Sequence, residues 1–173
     1  ELYGTARDTS PAVVFLDESC PVARQYAPLV GKLAKEYGEQ NVLFLVVDAT
    51  PRVDAKTAQA FAKANGIEAT LLLDPFQAGA RRLGVKKAAT ALLFDPDMQE
   101  LYRGAIDDHW SLAKNQDHAA NDWLVEAIEA VLEKRPVDTA TREAGGTELK
   151  VPAPAGLTFN EHVAPILHRQ CVE

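Results

Sequence analysis

An α/β architecture, a mixed sheet with helices on both faces, is the fold class the sequence predicts. Three observations carry it. Short apolar runs of strand character alternate with segments of helical period from residue 12 onward. Two adjacent runs have Pro96-Asp97 between them, which reads as an antiparallel hairpin. A last amphipathic helix then precedes a change of composition at Pro136. Alternation of this kind favours parallel strands joined by crossover helices, with the hairpin adding an antiparallel edge.

The elements follow in order. Residues 12–17 (AVVFLD) form an apolar run bounded by Ser10-Pro11 and Glu18-Ser19. From Pro21 the period changes: Val22, Tyr26, Val30, Leu33 and Tyr37 define one helix face, closed by Gly38. Pro28 lies inside that helix and removes one backbone hydrogen bond. Val42–Asp48 is apolar on both faces, as a central strand with parallel neighbours would be. Pro51 and Asp54 open a helix through Ala58, Phe61 and Ala62 that stops at Asn65-Gly66. Thr70–Leu73 reads as a strand, residues 77–83 as a short helix ended by Gly84, and residues 91–95 and 100–103 as the hairpin. Asn121 or Asp122 is placed to cap a helix with Leu124, Ala127, Ile128, Val131 and Leu132 on its face.

The chain has 173 residues, about one domain on a prior of roughly 150 residues each. With 47% hydrophobic and 25% charged residues it is neither disordered nor collagen-like. Its net charge of −7 gives no overall basic footprint for nucleic acid, and no apolar run approaches a membrane span. The N-terminal stretch shows no basic segment followed by an apolar run, so either a leader has been removed or the chain is trimmed. The expected division is a packed domain over residues 1–135, a Pro- and Gly-rich linker or strap over 136–156, and a new periodic segment over 157–173.

There are two cysteines, Cys20 and Cys171, which excludes a disulfide-dense scaffold. Cys20 lies at a strand-to-helix junction, where unpaired N–H groups and the positive end of the helix dipole favour a thiolate, the nucleophile of thiol–disulfide exchange. Pro21 suits the first helical position, and Arg24 one turn on adds positive charge. Asp17 and Glu18 oppose the thiolate. On position alone, an inert buried cysteine and a reactive one stand equal. Asp107, Asp108 and His109 read as a solvated turn that caps the next segment.

Cys20-x-x-Ala23-Arg24-x-x-x-Pro28, set after an apolar strand, resembles the active-site helix of the thioredoxin family. The resemblance covers residues 10–134 and implies a thioredoxin-like fold. Residues 70–83 look like the inserted strand and helix of the TlpA/ResA-like and AhpC/TSA redoxins. Glu18-Ser19-Cys20-Pro21-Val22-Ala23 and Tyr102-Arg103-Gly104-Ala105-Ile106-Asp107-Asp108 are similar to two motifs of a bacterial group of redoxin-domain proteins. The departures are equally specific. Ala23 stands where the family has its second cysteine, and Ala89, before Thr90, stands at the family's cis-proline. A cis bond before a non-proline costs about 2.5–4 kcal/mol, so a trans bond and a reshaped groove are expected. Val13 and Asp17 break the peroxiredoxin pattern. Relatives carry a further cysteine in the strap after a Glu-Ala-x-Gly pattern; here Glu143-Ala144-Gly145-Gly146 leads to Thr147.

Phe159, Val163, Pro165, Ile166, Leu167 and Cys171-Val172-Glu173 resemble the opening of a c-type cytochrome domain, with Cys171 as the first half of a haem attachment motif. The other reading is a free thiol on a terminal helix. The resemblance implies haem c in the full-length protein, none bound by this stretch, and a periplasmic or otherwise exported location. A disulfide between Cys20 and Cys171 is disfavoured, since thioether attachment would consume Cys171.

Three functions follow from the sequence. The first is thiol redox chemistry through Cys20 alone, with Glu18, Ser19, Pro21, Ala23, Ala89 and Thr90 around it and a thiol or disulfide protein, or a small thiol, as partner. The second is a non-catalytic positioning domain beside a cytochrome. A metal-handling module ranks last, because no cysteine pair and only one methionine, Met98, are present.

Overall fold

The computed structural model describes residues 9–113, 115–138 and 142–149. The order is β1 (Ser10–Leu16), α1 (Pro21–Gly38), β2 (Val42–Asp48), α2 (Ala55–Ala64), β3 (Thr70–Leu73), α3 (Ala78–Arg82), β4 (Thr90–Phe94), β5 (Glu100–Ala105) and α4 (Trp123–Leu132). The five strands form one sheet in the order β3-β2-β1-β4-β5. β1, β2 and β3 are parallel, and β4 runs antiparallel to both β1 and β5.

Boundaries shift where side chains or ladders override the apolar pattern. β1 starts at Ser10, whose N–H donates to the Asn41 carbonyl at 3.0 Å, and ends at Leu16. Asp17 leaves the strand because its carboxylate accepts the Ser19 N–H at 2.8 Å, closing a tight turn into α1. The hairpin is longer than its apolar run, since Thr90 pairs with Ala105 and Ala91 with Gly104. Gln77 stands outside α3 with φ 52°, so that helix is only five residues long. Asp122 precedes α4 without a side-chain cap; the Leu124 N–H donates to the Ile106 carbonyl instead, at 3.0 Å.

Right-handed crossovers place α1 and α2 on the same face of the parallel strands. Gly31 of α1 lies against the Asn65 and Gly66 carbonyls at the end of α2, and the Tyr37 hydroxyl donates to Glu129 of α4 at 3.3 Å. Val22, Tyr26, Val30, Leu33 and Tyr37, the predicted face of α1, are all buried. β2 is less enclosed than its composition implies, with Leu43 44% exposed. Among the described residues no helix is long and apolar enough to cross a membrane.

Packing continues beyond residue 135. Residues 142–149 lie across the sheet end as an extended strap. Ala105 donates its N–H to Arg142, Leu112 to Gly145 and Ala88 to Thr147, and Leu149 donates to Lys86, at 2.8–3.0 Å. Ala144 and Leu149 are buried. A Cβ on Gly146 would lie 2.2 Å from the Ala88 carbonyl oxygen, and one on Gly145 2.6 Å from that of Trp110. These glycines permit close backbone approach. Residues 150–173, including Cys171 and the cytochrome-like stretch, lie outside the described residues.

The α1–α2 junction supplies a direct check. A Cβ on Gly31 would meet the Gly66 carbonyl at 2.7 Å and that of Asn65 at 2.8 Å, both backbone atoms. Gly31→Ala should therefore lower unfolding free energy by about 1–3 kcal/mol in urea titrations. An unchanged midpoint would contradict this packing.

Candidate functional site

The site is built where β1 gives way to α1. Cys20 is the residue before the helix, with extended backbone (φ −83°, ψ 118°), and its sulfur accepts the Ala23 N–H at 3.4 Å. It thus fills the role that Ser or Asp fills at other helix starts. Pro21 follows at the first helical position. Upstream, the Cys20 N–H donates to the Asp17 carbonyl at 2.9 Å, and the Ser19 hydroxyl to the Asp17 carboxylate at 2.6 Å. Ala23 is buried beneath the helix start, whereas Ser19, Pro21 and Arg24 are exposed.

Cys20 is fully buried. What covers it is the strap: the Thr147 N–H donates to the Cys20 sulfur at 3.3 Å. The carbonyl of the same residue accepts the Ala88 N–H at 2.9 Å. One peptide segment therefore joins the sulfur to the loop that leads into β4. The neighbouring Lys87 pairs with Glu148 as an isolated antiparallel bridge. Thr147 is the residue that follows Glu143-Ala144-Gly145-Gly146.

The peptide before Ala89 is trans, and Ala89 adopts φ 60°. Its N–H donates to the Phe15 carbonyl at 2.8 Å, so the left-handed turn extends the β1–β4 ladder by one bond. For an L-residue that conformation costs about 1–2 kcal/mol. Thr90 donates its hydroxyl to the Lys87 carbonyl at 2.7 Å, which closes the turn. Both residues are buried next to the strap's anchor, Ala88.

Two acidic features differ from their reading in the sequence. Asp107 is buried, not solvated; it accepts the Tyr26 hydroxyl and the His109 N–H, tying α1 to the segment after β5. Burial foremost pushes the Asp107 carboxyl above its ordinary range and, with the Asp107 hydrogen bond, pushes the Tyr26 phenol far up as well. Asp108 does serve as a cap, accepting the Ala120 N–H at 2.7 Å. Glu18 does not behave as a simple negative charge. Burial, a hydrogen bond with Asp48 and the charges of Asp48 and Asp17 raise its carboxyl from 4.5 to about 7, against a smaller opposing effect of Arg24. Glu18 Oε1 and Asp48 Oδ2 are buried and face no N–H or O–H donor. A proton held by Glu18 satisfies both oxygens with one hydrogen bond. The parallel register that pairs Leu16 with Asp48 is what brings the two carboxyls together, and Thr50 locks them, donating its N–H to Asp48 and accepting that of Glu18. Among the described residues no group of three or more His, Cys, Asp or Glu side chains converges to hold a metal.

A family model described as the AhpC/TSA family matches residues 4–103. The chain belongs to the AhpC/TSA family. Solved structures agree on the fold. A hypothetical protein from Sinorhizobium meliloti 1021 is 22% identical, with TM-score 0.77 over 88% of this chain and 85% of that one. An uncharacterized conserved protein from Geobacillus kaustophilus is 23% identical, with TM-score 0.76 over 86% and 80%. A thioredoxin-like protein solved in its oxidised form is 16% identical, with TM-score 0.59 over 74% and 80%. The domain is thus a thioredoxin-like redoxin of the AhpC/TSA family. No curated protein matches the chain. The family match ends at residue 103, before the strap that completes the site.

The Glu18–Asp48 pair makes stability fall with pH. The folded state keeps a proton that the unfolded chain loses near 4.5, so stability present below that value is lost as pH rises toward about 7. Glu18→Gln should flatten this slope and raise stability at pH 8 by about 1–2 kcal/mol, after allowance for solvent screening. Parallel slopes for the two proteins between pH 4.5 and 7.5 in urea titrations would contradict the shared proton.

Proposed function

We propose that this AhpC/TSA domain carries out thiol–disulfide exchange with Cys20 as its only participating thiol. The observation that carries the reading is the cysteine at the start of α1, its sulfur facing the Ala23 N–H, in a thioredoxin-like fold. In the exchange, the Cys20 thiolate attacks one sulfur of a partner disulfide after giving its proton to solvent. A mixed disulfide forms and the partner's second sulfur leaves as a thiolate. With Ala23 and Thr147 at the local and strap positions, an external thiol, protein-borne or small, must attack the mixed disulfide and return Cys20. Arg24 keeps a positive charge one turn into the helix.

A second reading, a binding or positioning module without turnover, is favoured by the full burial of Cys20. We further propose that the domain belongs to an exported, periplasmic protein whose following segment is a c-type cytochrome domain carrying haem c. The support is the order of Phe159, Val163, Pro165, Ile166, Leu167 and Cys171. Cys-His directly after Glu173 in the encoded protein, with covalent haem on the full-length chain, is the expected outcome; any other pair contradicts it.

In a Cys171→Ser background, prolonged incubation with glutathione disulfide should place one glutathione on Cys20. Reduced glutathione should remove it, and Cys20→Ser should never acquire it, as read by intact-mass spectrometry. A folded protein that gains no adduct would leave the positioning module standing.

A further inference from the structure

We propose that residues 142–149 are an internal cover that controls access to Cys20. The inference rests on the reading of Cys20 as an exchanging thiol.

The cover is specific in its geometry. It enters beside β5, where the Ala105 N–H donates to the Arg142 carbonyl at 2.9 Å. It then passes Leu112, which donates to Gly145 at 3.0 Å, and pairs antiparallel with the loop before Ala89 through Ala88 and Lys86. Main-chain pairing of this kind is how an extended peptide adds to a sheet or loop edge. The strap occupies that place with its own backbone, and its Thr147 N–H caps the sulfur. Gly145 and Gly146 leave no room for side chains against Trp110 and Ala88. A floppy linker has no need of such fit. The outer tether is weak: Lys87 and Glu143 pair at 2.7 Å, but Glu143 is 78% exposed, where ion pairs contribute little. The cover is closely fitted over the thiol; its opening breaks the bonds to Ala105, Leu112, Ala88 and Lys86 and uncovers Ala144 and Leu149, but breaks no ladder between two strands.

Two alterations press the cover open. In Gly146→Ala the new methyl collides with the Ala88 carbonyl, and in Gly145→Ala with that of Trp110, so the open state gains population in each.

The test uses the whole chain with Cys171→Ser and follows reaction with dithiobis(nitrobenzoate). Attack by the Cys20 thiolate forms a mixed disulfide and expels one thionitrobenzoate, which is coloured. Cys20 should react slowly in the otherwise native chain and at least about tenfold faster in Gly146→Ala, with the far-ultraviolet circular dichroism unchanged. Gly145→Ala should react faster as well, and this arm decides the matter should Gly146→Ala fail to fold. Rapid reaction of the native chain, or reaction of the folded glycine variants at the native rate, would overturn the cover. The two readings separate cleanly. Labelling as expected with no glutathione adduct on any variant upholds the cover and overturns exchange as the function. Adducts forming equally fast in the native chain and in Gly146→Ala overturn the cover and uphold exchange.

Discussion

The sulfur of Cys20 accepts two main-chain N–H groups, one from Ala23 in its own helix and one from Thr147, 127 residues away in sequence. The rest of the site is arranged around that double role. The first interaction starts α1, the longest helix among the described residues. The second closes the strap over the end of the sheet. Thiol hydrogen bonds are individually weak, so the sulfur does not hold the strap by itself. The backbone bonds to Lys86, Ala88, Ala105 and Leu112 do most of that, each worth about 0.5–1.5 kcal/mol net. What the sulfur contributes is position: it is the acceptor left over when the strap is in register.

The neighbouring charges are handled in a matching way. Three acids sit at the ends of β1 and β2, and each is held in place by a neighbour. Asp17 is occupied by Ser19, Asp48 by Thr50, and Glu18 keeps its proton to about pH 7 because burial and Asp48 make its ionisation costly. Asp107, buried on the other side of α1, is answered by Tyr26. The first turn of α1 is thereby fixed from both flanks by side chains on β1, β2 and the segment after β5, and Cys20 has little freedom except through movement of its cover.

Much of this was legible in the sequence, for identifiable reasons. Helix faces and strands show as periodicity, and Val22, Tyr26, Val30, Leu33 and Tyr37 are buried as their spacing requires. The helix-start cysteine and the absent second thiol at Ala23 are local patterns. The features that escaped are those made by distant pairing or by main-chain atoms. Glu18 and Asp48 meet only because β1 and β2 are parallel and in that register. Asp107 resembles a surface charge until Tyr26 is seen against it. Gly145-Gly146 is written like a linker, and only the Ala88 and Trp110 carbonyls reveal that the glycines are there for close contact. Thr147 acts through its N–H and carbonyl, which every residue but proline possesses, so no side-chain signal announces it.

The account stands on the strap being closed over Cys20 in the resting protein. Amide hydrogen exchange measures that directly. The N–H groups of Thr147, Ala88 and Leu149 should exchange at least about a hundredfold more slowly than in an unstructured peptide, and at one common rate, because a single opening frees all three. Exchange of Thr147 and Leu149 at the unstructured rate, with the strands of the sheet still protected, would contradict it.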